Sequence, residues 1–196
     1  MNTFLPYPNY ADSAACLDNK RLFKQVVECK QMIMALNAGP VSCSKCWKCH
    51  PKSDLGKICF LCLDGKIRKT PYYNHPACEA WRGYVPSLCT YMLSCVSEWH
   101  CRGFDSGHAL KEFALNGLVK VELVDPWWIG IPELHQSWRS RLIQKDPVWY
   151  GPIFGDEPVV PQIWPTRDFQ KSIPTYGKVY GIDLASSPDS MSYTIL

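Results

Sequence analysis

Two pairs of closely spaced cysteines constrain this chain more than any other feature. Each pair has two residues between its cysteines, and twelve residues separate the pairs: Cys43 with Cys46, then Cys59 with Cys62. Two cysteines on a tight turn chelate one side of a tetrahedral ion, so two such pairs are typical of a structural zinc site. Cys49 or His50 could replace one of the four ligands, since Cys49 follows Cys46 at the same spacing. The sequence therefore predicts bound zinc and leaves open which four of these six residues are its ligands.

Residues 41–72 around these cysteines differ in charge from the rest of the chain. They carry seven Lys and Arg but two Asp, a balance of +5, whereas the whole chain is +3 and the remainder is −2. A module this short needs the ion to fold, and a site filled by four protein ligands favours a structural role. The positive charge fits contact with phosphates, with Trp47 or Phe60 as stacking surface. The alternative is a module that only braces the core.

Length and composition predict one globular domain with a small inserted module. The chain has 196 residues, of which 46% are hydrophobic and 20% charged. No run approaches the roughly 20 apolar residues of a membrane span. The N-terminus, MNTFLPYPNY, lacks the basic start and apolar run of a secretory signal, so we expect a cytoplasmic protein without a membrane partner. The eleven cysteines then favour thiols and metal ligands over disulfides.

Residues 11–36 predict one long helix. Its apolar residues recur at steps of four and three and form a narrow stripe: Leu22, Val26, Cys29, Ile33 and Leu36. Asp12 or Ser13 is expected to cap its start. Gly39 and Pro40 supply its stop.

The opposite face of this helix concentrates polar side chains. Lys20, Lys24 and Glu28 stand four residues apart, with Arg21 and Gln25 beside them. A carboxylate one turn beyond two lysines is stabilised in its charged form and can orient a polar substrate. The alternative is a solvated face with helix-stabilising charge pairs.

The remaining chain predicts a mainly α fold. Helices are expected from Pro76 to Arg82, from Pro86 to Gly103, from His108 to Leu115 and from Glu133 to Lys145. An aromatic turn follows at 148–154. We predict a compact helical domain over residues 1–165, interrupted by the zinc-binding insertion at 41–72. An irregular Pro-rich tail is expected over 166–196.

Two further groups could take part in a reaction or bind a ligand. The α-amine of Met1 has an ordinary pKa near 8, so much more of it is neutral at pH 7 than of a lysine amine, and a neutral amine can attack an aldehyde to give a Schiff base. The alternative is a plain packed or disordered terminus. His75 lies just before a helix start, where it could bind an anion or merely cap the helix.

Several separated stretches together resemble one known family. They are MNTFLPYPNYADSAACLDNKRLFKQVVE, YYNHPACEAWRGY, ELHQSWRSRLIQKDPVWYGPIF and QIWP. In this order they are similar to the pyrimidine-dimer DNA glycosylases, the endonuclease V type of phages and bacteria. The resemblance covers residues 1–36 and 72–165, and it leaves 41–72 as an insertion. It implies a compact, mostly helical fold and base-excision chemistry on double-stranded DNA.

The resemblance also implies a mechanism. In this family an N-terminal amine attacks the sugar C1′, expels the base and forms a Schiff base, and a glutamate supports the proton transfers that lead to strand cleavage. Mapped onto this sequence, the catalytic candidates are Glu28, Met1, Lys20 or Lys24 as alternative amines, and His75. The DNA-binding candidates are Arg21, Gln25, Trp81, Arg82, His135, Arg139 and Lys145. Trp138 stands where the family pattern has a second histidine, which could mean a changed lesion.

We therefore predict a monomeric DNA glycosylase or abasic-site lyase that nicks damaged DNA through a Schiff base. Base removal could be its own activity or that of a separate cooperating glycosylase. The chemistry requires no cofactor, and zinc is structural. The alternatives are a metal-dependent DNA endonuclease and a non-catalytic, zinc-dependent nucleic-acid-binding module.

Overall fold

The computed structural model describes residues 1–118, 123–166 and 169. The described part contains seven α-helices: α1 (Tyr10–Ala15), α2 (Asn19–Ala38), α3 (Pro76–Ala80), α4 (Val85–Cys101), α5 (His108–Asn116), α6 (Pro132–Lys145) and α7 (Pro147–Phe154). It also contains two short strands, β1 (Val41–Cys43) and β2 (Ile67–Lys69), and a 3-10 turn at Lys52–Asp54. The prediction of a mainly α fold with a small cysteine-rich insertion is confirmed. Apart from Thr166 and Phe169, the predicted tail over 166–196 lies outside the described residues.

The single helix predicted over residues 11–36 is wrong, because the chain breaks between α1 and α2. The Asp18 side chain accepts a hydrogen bond from the Arg21 N–H and caps α2, while Asn9 rather than Asp12 or Ser13 caps α1. A short aspartate side chain competes for backbone N–H groups in this way and starts a new helix. The guanidinium of Arg102, directly after α4, donates to the Ala15 carbonyl at the end of α1 at 2.9 Å and to the Leu17 carbonyl within the break at 2.7 Å. The predicted stop is confirmed, since Gly39 closes α2 with a φ of 71°.

The core lies where α2 and α4 pack against each other. The apolar stripe predicted on α2 faces it, with Leu22, Val26, Cys29 and Ile33 at most 2% exposed. Three indoles fill its centre and meet edge to face, with ring centroids 5.0 and 5.6 Å apart: Trp81, Trp128 and Trp138. Buried aromatic pairs of this geometry add to the stability gained from burial alone.

Residues 148–154 form the helix α7 and not the aromatic turn predicted for them. Asp146 accepts a hydrogen bond from a backbone N–H of the first turn, and the Tyr150 hydroxyl donates to Asp18 at 2.5 Å. Pro152 inside the segment weakens the helical pattern in the sequence, although tertiary contacts stabilise the helix.

The inserted segment forms a second, separate apolar cluster. Strands β1 and β2 pair antiparallel, with Val41 opposite Lys69. Four buried residues make up this cluster: Val41, Cys43, Cys59 and Ile67. Because it is this small, the insertion has little hydrophobic stabilisation of its own.

The irregular chain after α7 crosses α6 and returns to the N-terminus. The Val160 N–H donates to the Ser140 hydroxyl at 2.9 Å, and the Ile163 N–H donates to Ser137 at 3.2 Å. Among the helices of the described residues, we find none whose length and apolar content would let it cross a bilayer.

Candidate active site and metal centre

Glu28 lies where α2 meets the N-terminal segment, residues 1–9. The residue is 7% exposed, and its Oε1 lies 3.6 Å from the α-amine nitrogen of Met1. The Asn2 N–H donates to Oε2 at 3.2 Å, and the Lys24 Nζ lies 3.8 Å from Oε1. A nearly buried carboxylate is stabilised only where cations and hydrogen-bond donors surround it. Here the Met1 amine and Lys24 are the cations, and the Asn2 N–H is the hydrogen-bond donor.

The first four residues are held in place by buried polar groups. The Phe4 N–H donates to Gln25 Oε1 at 2.9 Å, and the Tyr91 hydroxyl donates to the Phe4 carbonyl at 2.7 Å. The Trp81 indole N–H donates to the Thr3 hydroxyl at 3.0 Å. These bonds fix the direction in which the chain approaches Glu28.

Met1 is anchored by its side chain while its backbone faces outward. The side chain is 2% exposed, and its sulfur lies 3.9 Å from the Cys78 Sγ. The residue as a whole is nonetheless half-buried, so its exposed surface belongs to the backbone atoms that include the α-amine. The amine therefore has a fixed position, on a residue whose backbone is partly exposed.

Two of the three amines predicted as nucleophiles lie beside Glu28. They are the α-amine of Met1 and the side-chain amine of Lys24, which is 65% exposed. Lys20 is exposed and lies eight residues before Glu28, a rise of about 12 Å along an α-helix. The contacts of Glu28 within the described residues do not include Lys20.

His75 caps α3 and lies within electrostatic range of the amine. Its Nδ1 accepts the Ala77 N–H at 3.1 Å, which places the proton of the neutral ring on Nε2. Burial and the positive charge of the N-terminal amine lower the pKa of His75, while Glu28 has the opposite effect. His75 is therefore a neutral ring beside the site at pH 7.

One residue that bonds to the N-terminal segment beside this site, Gln162, was not among the sequence predictions. Gln162, in the chain after α7, forms two amide hydrogen bonds with the Asn2 side chain, each 3.1 Å long. Nearby, the Trp164 ring meets the edge of His75 at a centroid distance of 5.8 Å. The stretch QIWP was recognised as a motif, but the partner of Gln162 lies 160 residues away, beyond any local signal.

A group of basic side chains borders the site, and we call it the cationic rim: Arg21, Lys24, Arg141 and Lys145. Partial burial and then the positive charges of the other three members lower the pKa of Lys145, and Glu28 raises it. Arg21, Lys24, Arg141 and Glu28 therefore all lie within electrostatic range of Lys145. A concentration of cations beside one carboxylate suits an anionic ligand such as a phosphate backbone.

Arg21 is the most constrained member of the rim. Its guanidinium pairs with Asp18 at 2.5 Å and lies 3.5 Å from Asp146. It also lies over the Tyr150 ring, 5.4 Å from the centroid. These contacts hold the guanidinium in one position at the edge of the site.

Burial corrects three of the predicted DNA contacts. Gln25 and Trp81 have no exposed surface, and His135 is 2% exposed. His135 is held between the Leu5 carbonyl at 2.7 Å and the Gly130 N–H at 3.0 Å, and burial lowers its pKa. All three side chains position the chain around the site and have no surface to offer DNA.

Two predicted arginines are also engaged within the fold. Arg139 pairs with Glu157 and donates to the Pro6 carbonyl at 2.8 Å. Arg82 donates to the Tyr73 carbonyl at 2.9 Å and lies over the Tyr73 ring, 4.6 Å from its centroid. Of the seven predicted DNA contacts, Arg21 and Lys145 therefore lie in the cationic rim.

Four cysteines converge in the insertion. The Sγ atoms of Cys43, Cys46, Cys59 and Cys62 all lie within 4.8 Å of one another. Of the two alternative ligands, Cys49 is exposed and outside this group. His50 is also outside this group, although its Nε2 lies 3.3 Å from the sulfur of one member, Cys59. These four sulfurs could hold a metal ion.

The backbone around the sulfurs fits a bound metal. The two turns are built alike: the Trp47 N–H donates to the Cys43 carbonyl at 3.2 Å, and the Leu63 N–H donates to the Cys59 carbonyl at 2.8 Å. Both Trp47 and Leu63 have a left-handed backbone, with φ of 57° and 56°. The Lys45 N–H points at the Cys43 sulfur at 3.3 Å. Such N–H donors stabilise thiolates, the form that binds metal.

Comparison with known proteins supports the resemblance seen in the sequence. The family model described as pyrimidine dimer DNA glycosylase matches residues 1–112, which is more than half of the chain. Comparison with curated proteins and with solved structures gives no significant match. The matched range contains both sides of the candidate site, since Met1, Glu28 and His75 fall within it. The chain belongs to the pyrimidine dimer DNA glycosylase family.

Proposed function

We propose that this protein is a base-excision enzyme that nicks double-stranded DNA at damaged bases or abasic sites through a Schiff base. The observation that carries the proposal is the α-amine of Met1, 3.6 Å from the nearly buried carboxylate of Glu28, in a chain of this family. An amine and a carboxylate at this separation can share the nucleophilic and proton-transfer steps.

The amine of Met1 acts as the nucleophile. Its lone pair forms a bond to C1′ of the deoxyribose, and the electrons of the glycosidic bond leave with the base, which takes up a proton. At an abasic site the same amine condenses with the ring-opened aldehyde and releases water. In the first route the attached nitrogen then loses a proton, and its lone pair opens the sugar ring by breaking the C1′–O4′ bond, which leaves O4′ as a hydroxyl. Both routes thus give a protonated imine between Met1 and C1′, so the enzyme can act alone or after a separate glycosylase.

Glu28 acts as the general base for this imine and stabilises its charge. Its negative charge stabilises the cationic imine, and it accepts a proton from C2′ directly or through water. The electrons of that C–H bond form a C1′–C2′ double bond. They then expel the 3′ phosphate, so the strand is cut without hydrolysis of the phosphodiester. The Asn2 N–H holds Glu28 Oε2 at 3.2 Å throughout.

The cationic rim and His75 hold the substrate. Lys24 is exposed beside Glu28, and Arg141 and Lys145 are exposed members of the same rim, so that all three can contact the phosphates that flank the target nucleotide. The proton on His75 Nε2 can be donated to a phosphate or to the sugar ring oxygen. The target nucleotide must leave the base stack to reach C1′, as in other enzymes that act on bases.

Borohydride trapping tests this proposal. A labelled duplex with one abasic site is incubated with the protein in EDTA, with and without sodium borohydride. We expect a nick without borohydride and a covalent protein–DNA adduct with it, because borohydride reduces an imine to a stable amine. An intact duplex is the control for the adduct. A second duplex with a pyrimidine dimer tests whether base removal is intrinsic.

Each outcome of this experiment assigns the function. Peptide mapping of the adduct identifies the amine, and we expect Met1 rather than Lys24 or Lys20. Cutting that requires Mg²⁺ and gives no adduct would contradict the proposal and favour a hydrolytic endonuclease. Duplex binding without cutting in either condition would favour a non-catalytic binding module.

Gln162 is expected to position the amine, because it holds Asn2 through two hydrogen bonds. We predict that Gln162→Ala lowers the single-turnover nicking rate about tenfold, the equivalent of one lost hydrogen bond of ~1.4 kcal/mol in the transition state. The DNA affinity should change less than about twofold, since Gln162 carries no charge.

Gln136→Ala is the matched control. Gln136 donates to Glu157 at 3.1 Å, so it ties the same C-terminal chain to α6 without touching Asn2. An equal loss of rate in both variants would mean that the chain as a whole stabilises the site, and Gln162 would have no particular role.

A further inference from the structure

The second cysteine turn exposes an apolar surface, which we call the knuckle tip: Ile58, Phe60, Leu61 and Leu63. These side chains are 64, 66, 57 and 76% exposed. They surround Cys59, whose own exposure is 0%. Large apolar side chains that are grouped on a surface mark an interaction site more often than a lone exposed residue does.

The backbone of the knuckle tip is fixed. The Leu63 N–H is bonded to the Cys59 carbonyl at 2.8 Å, and the Cys59 N–H is bonded to the Gly65 carbonyl at 2.8 Å. The Phe60 ring meets the buried His50 edge-on at a centroid distance of 5.2 Å. A rigid turn that presents apolar side chains loses little entropy when a partner covers it.

Cations surround the knuckle tip. Lys66 pairs with Ile58 across a β-bridge, and the Lys45 side chain packs against Gly65 at the end of the turn. Arg68, exposed on the same small unit, extends this positive surface, while Lys57 is paired with Asp54 at 3.0 Å. Asp64 is the anion within the turn itself, so positive charge dominates the surface.

The combination of cations and apolar side chains identifies the partner. We propose that the knuckle tip is a second DNA contact, in which Lys45 and Lys66 bind phosphates while Phe60 and Leu61 insert into a groove against the bases. This rests on the proposed function only in that DNA is the substrate. Apolar wedges of this type, flanked by cations, partly unstack a base step and bend the duplex.

A bend at this point would assist the proposed reaction. Unstacking a base step is part of the cost of moving a nucleotide out of the helix. A zinc-stabilised wedge can therefore support that movement while the cationic rim holds the flanking phosphates.

Binding to undamaged duplex DNA tests this inference, since it requires no chemistry. The full, zinc-loaded chain is compared with Lys45→Gln/Lys66→Gln and with Phe60→Ala/Leu61→Ala. We expect the lysine variant to reduce the slope of log Kd against log salt by about 2, because two phosphate contacts are lost. We expect the apolar variant to bind about tenfold more weakly with an unchanged slope, the size of a lost stacking contact. It should also reduce DNA bending measured by fluorescence transfer.

Control variants lie on α5, away from this surface. Lys111→Gln and Leu115→Ala remove an exposed cation and an exposed apolar side chain there. Zinc content, measured for every variant, shows that the insertion is still folded. Unchanged affinity, slope and bending in both tip variants would overturn the inference and leave the knuckle tip as a surface for a protein partner.

The outcome is separable from the proposed function. If the parent protein forms no borohydride adduct but the tip variants lose duplex binding, the DNA contact stands and the lyase proposal fails. If the parent protein forms the adduct and the tip variants bind like the parent, the lyase proposal stands and the DNA contact fails.

Discussion

Replacement of Glu28 by glutamine is expected to slow strand cutting at an abasic site by about 100- to 10,000-fold, the usual contribution of a positioned acid–base group. The substituted amide has the shape of the native carboxylate and can still accept the Asn2 N–H, but it cannot remove a proton from C2′. It also no longer stabilises the cationic imine. We therefore expect β-elimination to slow, which is measured as the rate of single-turnover strand cutting in EDTA.

DNA affinity in the Glu28→Gln variant should change far less than the cutting rate, because the cationic rim is intact. Borohydride trapping provides a second measurement, since imine formation depends on the amine more than on the carboxylate. Glu112→Gln is a matched control, with the same charge change at an exposed site on α5. Equal cutting by the Glu28 variant and the native chain would remove Glu28 from the mechanism.

Replacement of Cys62 by serine is expected to release the metal. A serine hydroxyl is a poor ligand for zinc, and three sulfurs hold the ion much less tightly than four. Because metal binding supplies most of the folding free energy of such a small unit, ~10–16 kcal/mol for comparable peptides, the insertion should unfold. Metal analysis should fall from about one zinc per chain to near zero, and proteases should cut within residues 41–72.

Cys49→Ser separates the two possible ligand sets. Cys49 is exposed and lies outside the group of four sulfurs, so its replacement should leave the zinc content at that of the native chain. Loss of zinc from the Cys49 variant, with full zinc in the Cys62 variant, would contradict the ligand set seen in the structure.

Local pattern predicted the elements of this fold well. The stripe on α2, the prolines that open α3 and α4, and the glycine that closes α2 all act within a few residues. The break before α2 was missed because part of its cause is distant: Arg102 binds carbonyls at the end of α1 and within the break, 87 and 85 residues earlier. The local sequence shows that Asp18 can cap a new helix, but it does not show the contacts of Arg102 that stabilise the break.

The candidate site was predictable in part, for a similar reason. Glu28 was singled out by the charge spacing on its helix and Met1 by the chemistry of an α-amine, and the family resemblance then linked the two. Gln25 and Trp81 were expected to contact DNA, because a polar side chain on a helix face, or an indole near a helix end, looks the same in sequence whether it meets solvent or buried chain. Here both bond to the N-terminal segment. Gln162 was missed because its partner is 160 residues away.

The pairing of β1 with β2 gives the insertion a narrow neck. Val41 faces Lys69 across this sheet, and the Thr70 N–H is bonded to the Pro40 carbonyl at 3.0 Å. The chain therefore leaves and rejoins the helical domain at nearly the same point. Loss of the metal should melt the insertion as its own cooperative unit, while the helical domain keeps its melting transition. The availability of zinc would then change the affinity of the protein for DNA, while the helical domain that carries the candidate site stays folded.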